Sequence, residues 1–155
     1  MSAIDELCEL AGIAPQYYDI WGRVHRASDA TRIALLQSMG IIGDASQIDA
    51  ALVRMREETW RQILPEVAVY RDEELPYRLA LSFAAGTATE SYEWRLVLEG
   101  GQTHGGTFRP DQLERIARCD LADGHYLKVA FDWRERLPHG YHRFSLRRAT
   151  DHEPL

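Results

Sequence analysis

The run Tyr77-Arg78-Leu79-Ala80-Leu81-Ser82-Phe83 decides the fold. Tyr77, Leu79, Leu81 and Phe83 alternate with smaller or polar residues at a strict period of two, so one face is apolar along its whole length. Tyr92, Trp94, Leu96 and Leu98 repeat the pattern against Glu93, Arg95 and Glu99, and Tyr126-Leu127-Lys128-Val129-Ala130-Phe131 supplies another strand. Gly100-Gly101 has the chemistry of a two-residue hairpin turn and Asp123-Gly124 offers a second tight turn. Strands that recur at short intervals with no helices between them predict an antiparallel sandwich. The stretch from Asp111 to Cys119 reads equally well as a helical turn or an irregular link.

Ahead of Pro65 the period is helical. Ser2 followed by Asp5 resembles a capping box, Ile4, Leu7, Cys8 and Ala11 keep helical spacing, and Gly12 suits a C-terminal stop. Ser28 caps a second segment through Ile33, Leu36 and Met39, closed by Gly40. Ser46 with Asp49 opens a third helix carrying Ile48, Leu52, Met55 and Trp60, and Pro65 forbids its continuation. The expected fold class is therefore α+β: a small N-terminal three-helix bundle over residues 1–65, followed by an antiparallel immunoglobulin-like β-sandwich over residues 66–155. Between the first two helices lies Tyr17-Tyr18-Asp19-Ile20-Trp21-Gly22-Arg23, whose large rings are expected to fill the centre of so small a bundle, with a ligand platform as the competing assignment.

Near the end, Leu137-Pro138-His139-Gly140-Tyr141-His142-Arg143-Phe144 reads as a Pro-His-Gly turn into a strand. His142, Phe144 and Leu146 share one face, placed inward. Tyr141 falls opposite Phe144, which argues against the tyrosine corner of immunoglobulin-like sandwiches. His142 is expected to be a hydrogen-bonded core histidine.

Composition bounds the function. A chain of 155 residues that is 45% apolar can build a core. No stretch approaches the roughly 20 apolar residues of a membrane span, and the N-terminus shows no basic and apolar leader, so the expected location is cytoplasmic, with no membrane partner. Cys8 and Cys119 are too few for a disulfide framework. A net charge of −6 disfavours nucleic acid as a partner. Seventeen of the 18 basic residues are arginine, which reflects genome composition.

Catalytic chemistry finds no constellation. Glu57 and Glu58 are neighbours on a helix and diverge by about 100°; His139 and His142 sit on a turn leading into a strand and diverge as well, and the other histidines lack chelating spacing. No Gly-x-Ser-x-Gly is present, and His104-Gly105-Gly106 reads as part of a flexible hairpin. The expectation is no catalytic residue, no metal site and no cofactor. Among the aromatics, Trp94 belongs to a core stripe, whereas Trp133, beside Arg134 and Glu135, and Tyr126 are the candidate contacts for sugar rings.

Taken in order, Leu10-Ala11-Gly12-Ile13, Tyr18-Asp19-Ile20-Trp21-Gly22, Ser28-Asp29-Ala30-Thr31, Trp60-Arg61-Gln62-Ile63-Leu64-Pro65 and Leu137-Pro138-His139-Gly140-Tyr141-His142-Arg143 resemble the N-terminal extension of bacterial 4-α-glucanotransferases, the amylomaltase or disproportionating-enzyme family. The resemblance implies an extension ahead of a (β/α)₈ barrel that transfers α-1,4-glucan segments by a retaining double displacement, with both catalytic acids in the barrel. A barrel takes about 250 residues, so the resemblance carries no catalytic residue onto this chain. It also implies that Asp151 to Leu155 stops short of a last strand and linker, as in an excised piece. The implied role is to pack on the parent's own barrel and to assist glucan binding, with maltodextrin or another glucan as the small-molecule partner. Two alternatives remain at this point. One is a helix-turn-helix DNA regulator with a β domain, opposed by six arginines against ten acids in residues 1–66. The other is a free-standing carbohydrate-binding module.

Overall fold

The computed structural model describes residues 2–150; the expected excision point at 151–155 lies outside the described residues. Contacts divide the chain into two compact units, one up to Thr59 and one from Trp60 onward.

In the first unit α1 spans Ala3–Leu10, α2 Asp29–Ser38 and α3 Ile48–Arg61, the last running on into the second unit. Local chemistry sets their ends. Ser2 and Asp5 form a reciprocal capping box on α1. Ser28 accepts the Thr31 N–H at 3.2 Å at the start of α2. Gly12 and Gly40, at φ +72° and +71°, end the two helices in the left-handed conformation that glycine adopts without strain. The third helix departs from expectation at its start: Asp44, not Ser46, is the cap, accepting the Ser46 N–H at 2.8 Å and opening a short 3₁₀ turn over Ala45–Gln47 that runs into α3. Leu7, Cys8, Leu36, Ile42, Ala51 and Leu52 form the buried core of this unit. Burial pushes the Cys8 thiol up in pKa.

The aromatic stretch does not enter that core. Two short strands, β1 (Gln16–Tyr18) and β2 (Val24–Arg26), pair antiparallel into a hairpin whose strand residues are all exposed. Tyr17, Tyr18, Ile20 and Trp21 are 62, 66, 90 and 76% exposed. The core is built from aliphatic and sulfur side chains, and no hairpin residue is among those buried in it or packed against it.

In the second unit two three-stranded antiparallel sheets face each other. β3 (Tyr77–Ala84), β7 (Gly124–Trp133) and β6 (Glu114–Leu121) form one in the order β3-β7-β6; β5 (Thr103–Phe108), β4 (Tyr92–Val97) and β8 (Arg143–Arg148) form the other in the order β5-β4-β8. Leu81 and Phe83 of β3, Val129 of β7, Tyr92 of β4 and Leu146 of β8 meet in one buried cluster, which makes the pair of sheets a sandwich and the chain an α+β fold. Burial of each such side chain is worth about 2–3 kcal/mol. Phe83 and Tyr92 lie 4.8 Å apart between ring centres across the two sheets.

The undecided segment from Asp111 to Cys119 opens in a helical turn, the 3₁₀ turn Pro110–Gln112, and then continues as a strand. Glu114–Leu121 forms the edge strand β6, with a bulge between Arg115 and Ala117. The bulge and an almost wholly exposed surface erase the alternation that marks the other strands. The β4–β5 connection is also longer than predicted: Leu98 N–H donates to the Gln102 carbonyl at 2.8 Å and Gly101, at φ +87°, donates to the Leu98 carbonyl, closing a three-residue loop. Leu121 pairs with Gly124, so the second turn is Ala122-Asp123.

The hydrophobic period changes at Pro65, but the contacts divide between Thr59 and Trp60. Residues 60–64 belong with the sandwich: the Trp60 and Ile63 carbonyls accept from the Ser82 hydroxyl (2.5 Å) and N–H (3.0 Å), Lys128 sits 4.3 Å above the Trp60 ring, and Ile63 and Leu64 pack on the sandwich core.

Candidate functional site

β7 positions both residues chosen as sugar contacts, and it separates them. Its pairing with β3 is unbroken from Tyr77↔Trp133 to Ala84↔Tyr126, so Tyr126 and Trp133 lie an odd number of residues apart and point to opposite faces at opposite ends of the strand. Tyr126 shares its face with Lys128, and its hydroxyl lies 3.4 Å from Asp123, whose carboxylate is held by Arg61 at 2.8 Å and kept below the usual carboxylate range by that bond. Trp133 shares the inner face with Phe131 and Val129.

Trp133 is half-buried, contrary to its expected exposure beside Arg134 and Glu135, because it closes the open end of the sandwich. Its ring stands edge-on to Trp94 (5.7 Å, 83°) and to His104 (5.1 Å, 75°), while Trp94 stacks on Phe144 at 6.2 Å and 9°. Trp94 can lie flat over β5 because its cross-strand partner is Gly106. His104-Gly105-Gly106 lies in the hairpin as expected, inside its second strand, and serves ring packing.

Trp133 also lines a cleft of about 460 Å³. One wall is the strap from Leu64 to Tyr70, the floor is Tyr77, Leu79, Phe131 and Phe144, and the far wall is the Leu137–His142 loop. Tyr70 fastens the strap: its hydroxyl donates to the Arg78 carbonyl at 2.9 Å, its ring lies 5.4 Å from that of Tyr77, and burial pushes its pKa up. His142 fastens the far wall. Its Nδ1 accepts the Glu99 N–H at 3.2 Å and its Nε2 lies 2.9 Å from the Pro138 carbonyl, which fixes the Nε2–H tautomer. The hydrogen bonds are as expected, but His142 is half-buried on the cleft wall just ahead of β8 and is not the core histidine that alternation predicted. Tyr141 is 90% exposed at the rim, not tucked into a corner.

The cleft offers ring faces and apolar walls, with the Trp133 indole N–H buried and lacking a hydrogen-bond partner among the described residues. At its mouth Asp72 is held by Arg136 at 3.3 Å. Trp133 stands out in the sequence by residue type and the strap does not; the apolar run Val67-Ala68-Val69-Tyr70 between Pro65 and the acidic turn was the available signal. A second groove of about 600 Å³ lies on the β5-β4-β8 sheet, where Arg147 pairs with Glu93 at 2.8 Å. Among the described residues no group of three His, Cys, Asp or Glu side chains could hold a metal ion, and no helix is long and apolar enough to cross a membrane. The basic cluster needed by a DNA reader is divided, because Arg32 is engaged by Asp5 and Asp29.

Fold and cleft together define a two-part α+β module whose larger unit is an antiparallel β-sandwich with an aromatic open end. The family model described as the MalQ N-terminal beta sandwich domain matches residues 63–154, and the chain belongs to that family. Its curated relatives include the 4-alpha-glucanotransferases of Mycobacterium bovis and Mycobacterium tuberculosis, each 32% identical over 145 residues, covering 92% of this chain and 19% of theirs. The chain therefore spans about a fifth of the relatives it matches. The crystal structure of amylomaltase from Corynebacterium glutamicum shares the fold, with a TM-score of 0.67 at 19% identity, over 96% of this chain and 21% of that one.

Proposed function

We propose that this chain is the non-catalytic N-terminal region of a cytoplasmic 4-α-glucanotransferase. The enzyme would transfer α-1,4-glucan segments by retaining double displacement, in a (β/α)₈ barrel that this chain does not contain. The observation that carries it is the proportion of the match: nearly all of this chain corresponds to about a fifth of enzymes named for that activity. In this reading the three helices form a small bundle, the sandwich is immunoglobulin-like, the two act as subdomains, and the module packs on the barrel. The Trp133 cleft is the part of the sandwich suited to a glucan, since aromatic faces complement the C–H faces of glucose rings. Tyr126, on the other face, has no place in that contact.

The test uses two proteins: this chain, and the polypeptide encoded when its reading frame is followed past Leu155. The longer one is expected to disproportionate maltotriose and this chain to be inert. Activity in this chain alone, or none in the longer one, would overturn the assignment. Titrating this chain with maltoheptaose by NMR is expected to shift resonances around Trp133 and leave Tyr126 unmoved; no shifts at millimolar ligand would leave only a scaffolding role.

A further inference from the structure

We propose that the hairpin Gln16–Arg26 is the anchor by which this module docks on the catalytic part of its parent polypeptide; the proposal rests on the function assigned above. The hairpin is held open from within. One oxygen of Asp19 accepts the N–H groups of Trp21 and Arg23, both at 2.9 Å, and the other lies 3.0 Å from His25 Nε2. Asp19 N–H donates to the Arg23 carbonyl and Gly22 N–H to the Asp19 carbonyl, both at 3.0 Å, with Gly22 at φ +77°, where glycine is unstrained. On one face the His25 ring stacks on Tyr17 at 5.2 Å. Tyr18 pairs with Val24 on the other face, and Ile20 and Trp21 form the tip.

So ordered a turn presents its apolar tip without a further loss of backbone entropy on binding. Trp, Tyr and Arg are the residues that dominate protein–protein contacts. Arg23 and Arg26 have no carboxylate partner among the described residues, whereas Arg54 and Arg56 of the same unit each have one and Arg32 has two. The hairpin is thus an apolar knob flanked by two cations, shaped for an apolar pocket with a carboxylate rim. A glucan fits it less well, because the most exposed of its large apolar side chains is aliphatic Ile20 and not a flat ring. A symmetric pairing of two copies would set Arg23 and Arg26 against their own kind. A partner on the same polypeptide needs no such match, and in relatives of which this chain spans 19% most of the polypeptide surface lies beyond the module.

Hydroxyl-radical footprinting of this chain and of the full-length polypeptide tests the proposal. Trp21 and Tyr18 are expected to react as exposed rings in this chain and at least about fivefold more slowly in the full-length protein, as a ring does on moving into a desolvated pocket. The double substitution Ile20→Ser, Trp21→Ser is expected to leave the melting of this chain unchanged while restoring Tyr18 reactivity in the full-length protein. A Trp21 that reacts equally in both proteins overturns the proposal, as does one already protected in this chain, protected only where sedimentation shows a dimer, or protected by maltoheptaose alone. Full-length protein that disproportionates maltotriose with Trp21 still reactive removes this inference and leaves the assigned function standing. Inactive full-length protein removes both.

Discussion

Replacing Gly106 with alanine sets a small gain against a larger loss. Gly106 does not have a positive φ, so alanine is conformationally acceptable there and should stabilise by about 0.4–1 kcal/mol through the unfolded chain. Its added Cβ, however, would sit 3.0 Å from Trp94 Nε1, 3.1 Å from Cε2 and 3.2 Å from Cζ2. The indole must move, and its surroundings resist: Phe131 stands edge-on at 5.3 Å, Trp133 edge-on at 5.7 Å and Phe144 stacked at 6.2 Å. Overpacking of this kind costs about 1–3 kcal/mol. The net expectation is a loss of about 1–2 kcal/mol, which for a domain of this size lowers Tm by about 5–15 °C. Near-UV circular dichroism follows the tryptophan cluster directly during the melt. Gly86→Ala, with no atom within 4 Å of the new Cβ, is the contrast and should change stability by less than about 0.5 kcal/mol or raise it. In a double-mutant cycle, Trp94→Leu should absorb most of the Gly106→Ala cost, a coupling on the order of 1 kcal/mol. A Gly106→Ala protein as stable as the parent would refute the claim that this glycine exists to seat Trp94.

Removing the α2 cap by Ser28→Ala should cost about 1 kcal/mol, read by urea denaturation of the helical signal. A thiol reagent such as DTNB should modify Cys119 in the folded protein and Cys8 only on unfolding, since Cys8 is 2% exposed and its thiol is pushed up by burial; mass mapping of the two sites checks this. The His25 ring, with the Arg23 and Trp21 N–H groups, holds Asp19 below its ordinary 3.8. A depressed carboxylate contributes stability that is present above the unfolded value and lost as pH falls through the folded one. The hairpin should therefore hold down to pH 3.8 and loosen below it, followed by Trp21 fluorescence, while Asp19→Asn should make it loose at neutral pH as well.

The parts of the fold legible in the sequence are those that local chemistry determines. Ser2, Ser28, Gly12 and Gly40 mark helix ends because a cap bonds within one turn of itself, and Tyr77 to Phe83 announces a strand because alternation is a property of neighbours. β6 was illegible for the converse reason: an edge strand with little to bury and a bulge at its start has no pattern to display. The hairpin was misread because seven consecutive residues reveal how apolar they are, but not whether anything covers them. The cleft was half legible. Trp133 stood out by type, yet that it closes the sandwich end, and that Tyr126 faces the other way, follows only from the register of β7 against β3.

The irregular edge strand has a last consequence. A sandwich with open sheets leaves outer strands with free N–H and carbonyl groups, ready to pair with another molecule. Along β6 that row is interrupted by the bulge and flanked by Glu114, Arg115, Arg118 and Asp120, all exposed. Added strands would have to follow the kink and bury those charges, so this edge resists growth into a continuous intermolecular sheet. The same irregularity that hid β6 from its sequence guards this edge of the sandwich against pairing with another copy.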